Sequence, residues 1–271
     1  MTSGENTKKF DSAITYSSYL KVDELLQLQN PRSAGPEHDE MLFIIVHQTY
    51  ELWFKCVLHE LSRAQQLLEL GDTHASLHVL GRVRTIYKVL VSQVDILETM
   101  TPLQFNSFRD RLEAASGFQS VQFRELEAVL GRRDATIVDH LEPNSEPQRR
   151  VQNAMNRPAL FDSVLVYLTI RNHKMPIEVM QRNFSETYSA NELVQESLAN
   201  AYRNDPEAAM LLEKLIDIDE GLQEWRYRHV KMVERTIGMK HGTGGSSGAA
   251  YLASTLFKPV FPDLWAVRSR F

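Results

Sequence analysis

Two histidines far apart in the chain occupy the same kind of setting, and they are the residues best placed to do chemistry. His229 falls on the series Leu211, Leu215, Ile218, Leu222, Trp225, His229, Met232 and Thr236, whose alternating steps of three and four trace one stripe of an α-helix. His47 lies on a second such series, Phe43, His47, Tyr50, Phe54, Val57, Leu61, Ala64 and Leu68. An imidazole on an apolar stripe is either a hydrogen-bonded core histidine or a ligand to a metal or cofactor, and spacing within one helix does not separate the two. The existence of two such helices favours the second reading. Imidazoles facing a shared apolar cavity can hold and serve a haem, one ligating iron and the other acting on what binds opposite.

Other metal schemes fail on inspection. No histidine has an acidic residue three places before it, as carboxylate-bridged di-iron bundles require, and His-Glu-x-x-His is absent. His74 and His78 lie one turn apart without a nearby third ligand, which reads as a solvated face. Arg109 shares a short helix with Phe105 and Phe108; spacing allows either a snorkelling surface arginine or a guanidinium at a pocket wall, able to grip a carboxylate through two parallel hydrogen bonds. The loop Gly242-Thr-Gly-Gly-Ser-Ser-Gly248 resembles a phosphate cradle, but it lacks Gly-Lys-Ser/Thr and follows a helix instead of a strand. A lid whose backbone N–H groups and Thr243 hydroxyl close on an anionic ligand is the preferred reading.

The elements that must position these groups are long helices. The His229 stripe predicts a helix from about Pro206 to Gly238, some 45–50 Å at ~1.5 Å per residue. The His47 helix runs to about Leu70 and a third spans about Thr73 to Met100, with Leu77, Leu80, Val83, Tyr87, Leu90, Val94 and Leu97 on its stripe. Thr101-Pro-Leu-Gln104 is a capping box opening the Arg109 helix, and Ser116-Gly-Phe-Gln119 repeats the signature as the start of a helix ending at Gly131. Residues 132–158 read as a polar excursion, and helical periodicity resumes at Ala159 to Ile170 and around Glu192 to Tyr202. No alternating strand pattern occurs. The expected architecture is all-α, a long-helix bundle forming a single domain over residues 1–271, with residues 1–20 as an N-terminal arm.

Composition bounds the function. The 271 residues are 43% hydrophobic and carry a formal charge of −5 with acidic and basic residues interspersed, so nothing points to nucleic acid or an anionic membrane as partner. The single cysteine, Cys56, forbids an internal disulfide and a thiolate cluster. The apolar run Met41 to Val46 is too short to span a bilayer, and a soluble cytoplasmic protein is expected.

Six stretches together resemble the tryptophan 2,3-dioxygenase family: His38-Asp-Glu-Met-Leu-Phe-Ile-Ile-Val-His-Gln-Thr-Tyr-Glu-Leu-Trp53, Ser116-Gly-Phe-Gln-Ser120, Trp225-Arg-Tyr-Arg-His229, Lys240-His-Gly-Thr-Gly-Gly-Ser-Ser-Gly248, Tyr16-x-x-Tyr-Leu20 and Phe261-Pro-Asp-Leu-Trp265. The resemblance implies a haem b enzyme, ferrous in its active form, that uses O2 to cleave the indole C2–C3 bond of L-tryptophan to N-formylkynurenine in the kynurenine pathway. It also implies an α-helical homotetramer, a dimer of dimers. By position, His229 matches the axial iron ligand and His47 the distal histidine that hydrogen-bonds the indole N–H. Phe43 and Phe105 match distal-pocket contacts, Arg109 the partner of the substrate carboxylate, Ser116 a serine near the haem, and Thr243 a contact to the amino-acid end. Tyr16, Tyr19 and Leu20 match an arm that completes a neighbouring subunit's pocket.

Two positions depart from the family pattern. Phe105 stands where some relatives have tyrosine, and Val94 where others have an aromatic residue, which enlarges a cavity if that side chain points inward. The second keeps open a related haem monooxygenase acting on tryptophan or a methylated tryptophan or indole. A haem sensor or non-catalytic helical interaction protein is the alternative from a different class.

Overall fold

The computed structural model describes residues 14–35, 37–113, 115–139, 141–242 and 248–271, and among them every regular element is helical. In chain order these are α1 Tyr16–Leu20, α2 Val22–Leu25, α3 His38–Glu69, α4 Thr73–Leu97, α5 Pro102–Arg109, α6 Val121–Val129, α7 Ala135–Asp139, α8 Glu146–Met155, α9 Leu160–Ile170, α10 Ile177–Met180, α11 Glu192–Asn204, α12 Pro206–Ile237, α13 Ala249–Ala253 and α14 Pro262–Ala266. Short 3-10 turns follow α5, precede α6 and end the chain.

Local chemistry explains where the long helices begin and end. The Asp72 carboxylate accepts from the Ala75 N–H to cap α4, and Asp205 does the same for Ala208 at the start of α12, where Pro206 occupies the first helical position. Gly238 closes α12 at φ 62, a left-handed conformation that glycine adopts without strain. The Thr101 capping box forms as expected, with both reciprocal hydrogen bonds to Gln104 in place.

α4 is the central column, with α3 along one side and α12 along the other, while α6 and α9 cover α3 and α11 covers α12. The two stripes read from the sequence become the core. Phe54, Val57, Leu61, Ala64 and Leu68 on α3, and Leu211, Leu215, Ile218, Leu222 and Trp225 on α12, are all buried. Each such large side chain contributes about 1.5–3 kcal/mol relative to an exposed one. Toward the N-terminal end of α3 and the C-terminal end of α12 the same stripes become only half-buried, at Phe43, His47 and Tyr50 and at His229, Met232 and Thr236. A second, smaller apolar cluster of Val46, Leu97, Met100 and Phe108 gathers there, with Phe43, Phe105 and Met232 packed against it. The bundle is thus densest in its middle and loosens where its histidines stand.

Three expectations are corrected. Ser116 does not open a helix to Gly131: its hydroxyl accepts only from the Phe118 N–H over a 3-10 turn, and Ser120, extended at φ −62 and ψ 104, caps α6 separately through the Phe123 N–H. Residues 132–158 are not wholly an excursion, since α8 turns Val151 and Met155 onto Ala128 and Val138 in a small core of its own. The Thr73 helix stops at Leu97, short of Met100. The N-terminal stretch forms two short helices, α1 and α2, neither of which buries a residue.

Among the described residues one helix, α3, has an 18-residue window long and apolar enough to cross a membrane by length and composition. The helix packs against α4, α6 and α9, and 22% of that window is buried within the chain. Met41, Ile45 and Leu52 remain exposed along one outer line of the helix.

Candidate functional site

The half-buried ends of α3 and α12 bring His47 and His229 into one region, where Phe43, one turn before His47, and Met232, one turn after His229, pack against the same small apolar cluster. Both imidazoles are neutral near pH 7. Burial pushes His47 below its ordinary 6.5, against the raising influence of the Phe43 carbonyl and of Glu51. His229 is pushed down to about 4, by burial first and then by the proximity of His47 and Arg124.

The two rings are held differently, and the difference assigns them different chemistry. His47 Nδ1 lies 2.7 Å from the Phe43 carbonyl oxygen. A carbonyl only accepts, so Nδ1 carries the proton and Nε2 keeps a free lone pair. His47 can therefore accept a hydrogen bond from a ligand N–H. Its ring packs on Phe43 with centroids 4.0 Å apart, and Phe43 in turn meets Phe105 at 5.8 Å and Phe108 at 5.6 Å. This is an aromatic wall suited to a flat ring.

His229 stacks on Trp225, one turn earlier on α12, with centroids 5.3 Å apart and planes within 15°. Trp225 is wedged among Tyr50, Phe54 and Phe123 and fixes the imidazole plane. Among the described residues no hydrogen bond engages either nitrogen of His229. A neutral, unprotonated imidazole nitrogen on an apolar wall is the donor that haem iron takes, so these residues fit the cofactor the resemblance implies. In the sequence Trp225 had a place on the stripe and in a family motif but no role, although its four-residue spacing from His229 already placed it beneath the ring.

Arg109 ends α5, and its Nη2 donates to the His241 carbonyl at 2.7 Å, tying that helix to the base of the glycine loop. Among the described residues no carboxylate pairs with it. Half-buried and free of an internal acid, it can serve an external one. Ser116 is half-buried in the turn before α6, whereas Thr243 lies outside the described residues. Tyr16, Tyr19 and Leu20 are 76%, 74% and 46% exposed, so none completes a pocket within its own chain. Val94 is buried in the main core beneath α3 and α12.

A cluster around Glu127 went unread in the sequence, because its members share no periodicity. Glu127 is 3% exposed and accepts from Arg124 at 2.6 Å, Arg132 at 2.8 Å and Arg226 at 3.0 Å. An open recess of about 600 Å³ lies elsewhere, against the early part of α12, but its charged groups are already paired, Arg268 with Glu213 at 2.5 Å and Lys214 with Asp217 at 2.9 Å.

Comparison with known proteins accords with this geometry. A family model described as Tryptophan 2,3-dioxygenase matches residues 1–158 and 140–271. The chain is similar to the tryptophan 2,3-dioxygenase of Herpetosiphon aurantiacus, 56% identical over 95% of this chain and 98% of that protein. Its likeness to that of Anaeromyxobacter dehalogenans is 57% over 95% and 96%, and to that of Caulobacter vibrioides 42% over 95% and 98%. A family model matched along the chain, and identity of 42–57% over 95% of it, show that the chain belongs to the tryptophan 2,3-dioxygenase family.

Proposed function

We propose that the protein is a haem-dependent oxidoreductase that cleaves the indole C2–C3 bond of L-tryptophan with O2, giving N-formylkynurenine and so opening the kynurenine route of tryptophan degradation. The observation that carries this reading is the pair of neutral imidazoles on two helices, one with a free Nε2 beside a phenylalanine wall and the other unbonded on a tryptophan shelf. Haem b would be held by His229, with Ser116 at its edge, and when bound in the ferrous state it supplies the activation of O2.

The chain's own residues do the rest. Phe43 and Phe105 hold the indole ring and exclude water from the reacting face. His47 Nε2 accepts the indole N–H hydrogen bond and sets the ring's distance and tilt; the proton stays on the indole nitrogen. Arg109 grips the carboxylate through two N–H donors, and Thr243 meets the amino-acid end. The whole chain acts as one domain, and its core, running from Phe54 on α3 to Val267 near the C-terminus, supports that reading.

An arm that buries nothing in its own chain supports a homotetramer in which Tyr16, Tyr19 and Leu20 close a neighbour's pocket. A cytoplasmic protein without a nucleic-acid or membrane partner accords with the interspersed acidic and basic residues. His229→Ala tests the cofactor assignment: haem should be lost or its Soret band changed, and stoichiometric haem with an unaltered ferrous spectrum would refute it.

A further inference from the structure

The iron site proposed above has a charged floor. Arg124 and Arg226 are 6% and 5% exposed, and Glu127, the acid between them, is 3% exposed. Arg132 also reaches Glu127, but it stands nearer the surface and has Asp134 as a second partner at 3.2 Å. The inner set is therefore two cations to one anion, and no other carboxylate pairs with it among the described residues. Within this inner set one positive charge is in excess; the buried carboxylate further along α12, Asp219, stands seven residues before Arg226 and ten before His229, about 10 and 15 Å away at ~1.5 Å per residue.

That charge is wired to His229 by two routes. Arg226 belongs to α12 three residues before His229 and next to Trp225, so its bond to Glu127 fixes the rotation of the helix that presents the imidazole. Arg124 lies 4.5 Å over the Phe118 ring and 5.6 Å from that of Phe123, and Phe123 packs on Trp225 at 5.0 Å. Through Nε and Nη2, each at 3.2 Å, Arg124 also holds the Phe118 carbonyl, which anchors the turn carrying Ser116.

We propose that Glu127, Arg124 and Arg226 form a positioning and charge-setting unit for the axial histidine, which orients the His229 ring and raises the tendency of its iron to be ferrous. The inference rests on haem ligation by His229. Reduction of ferric to ferrous haem adds one electron and removes one positive charge from the iron. A fixed neighbouring cation favours that change and a fixed anion opposes it. Ferrous iron is the form that binds O2, so the unit holds the cofactor in its working state.

The sign of the effect separates charge from mere structure. Haem-loaded wild type, Glu127→Gln and Arg226→Gln are titrated spectroelectrochemically, with haem stoichiometry measured on each. Glu127→Gln, which deletes the anion, should shift the ferric/ferrous equilibrium toward ferrous by about tenfold, or about 59 mV for a one-electron couple. Arg226→Gln should shift it toward ferric, and Arg226→Lys should restore most of the wild-type value. Shifts of the same sign in both variants, or none in either, would overturn the proposal. If Glu127→Gln gives no folded holoprotein, Arg132→Gln at the rim carries the test, with a ferric shift expected and an unchanged potential contradicting it. A wild type that binds no haem, or binds it without His229, would instead defeat the reading on which the inference stands.

Discussion

At the scale of single residues, two histidines share a setting but not a hydrogen-bond pattern, and the roles proposed for them differ accordingly. In the role proposed, His47 is an acceptor only while neutral, and burial lowers its pKa from the ordinary 6.5, so falling pH abolishes the acceptor only below that value. The acid limb of kcat/KM for L-tryptophan should accordingly lie below pH 6.5, with no loss between there and pH 8; a limb above pH 7 that vanishes in His47→Ala would contradict the assignment. His47→Ala should lower turnover of tryptophan by roughly ten- to a hundredfold without abolishing it, because the amino-acid clamp remains. It should also lessen the wild-type preference for tryptophan over 1-methyltryptophan, which has no indole N–H. Complete loss on both substrates in a variant that still binds haem and O2 would make His47 an obligatory base. For Arg109, loss of a charge-assisted bond of about 1.5–3 kcal/mol predicts a KM for tryptophan raised by roughly 10- to 150-fold in Arg109→Ala. Indole, lacking the carboxylate, should be affected far less, and equal losses would exclude a carboxylate-specific role. Both histidines and the arginine were legible as candidates from their stripes and neighbours. The tautomer of His47 was not, because it depends on where the Phe43 carbonyl points.

At the scale of elements, the helices that place these residues were legible in proportion to how much apolar surface they bury. α3, α4 and α12 each bury a continuous stripe, so a three-four pattern of large side chains gave their extent to within a few residues. α8 escaped because only Val151 and Met155 of its residues are buried, too few to write a period. The Ser116 turn was misread because a Ser-x-x-Gln spacing records a possible cap without showing that the following serine, Ser120, captures the helix start instead. Charged hubs escape altogether, since a buried carboxylate is recognised by its partners in space. Asp219 on α12 is a second example. It is 0% exposed and accepts from the Val260 and Phe261 N–H groups at 3.0 and 3.2 Å and from Trp265 Nε1 at 2.9 Å, docking the C-terminal segment onto α12. Asp219→Ala leaves three donors without their acceptor, and at roughly 1–3 kcal/mol for each unsatisfied buried group it should destabilise the fold by at least about 2 kcal/mol. Denaturant melts measure this directly, and a loss under about 0.5 kcal/mol would show that the docking contributes little.

At the scale of the whole molecule, the homotetramer proposed would give the arm and the exposed outer line of α3 a surface to cover. Gln48 on α3 donates to the Leu28 carbonyl at 3.0 Å and accepts from Gln29 at 2.6 Å, so the base of the arm is fastened while Tyr16, Tyr19 and Leu26 project from it. Ordered apolar side chains that cover nothing of their own chain suit an interface between subunits. Removal of residues 1–20 should weaken tryptophan binding and oligomer stability together, as read by steady-state kinetics and light scattering; a truncated protein that stayed tetrameric and fully active would defeat the assembly proposed. The central claim is the reaction itself, an indole ring opened by O2 between His47 and a haem on His229. The ferrous holoprotein mixed with L-tryptophan and isotopically labelled O2, with the product weighed by mass spectrometry, tests it most directly. Two labelled oxygen atoms in a ring-opened product are predicted, whereas a single labelled atom, or no turnover beside a haem spectrum that still responds to tryptophan, would contradict it.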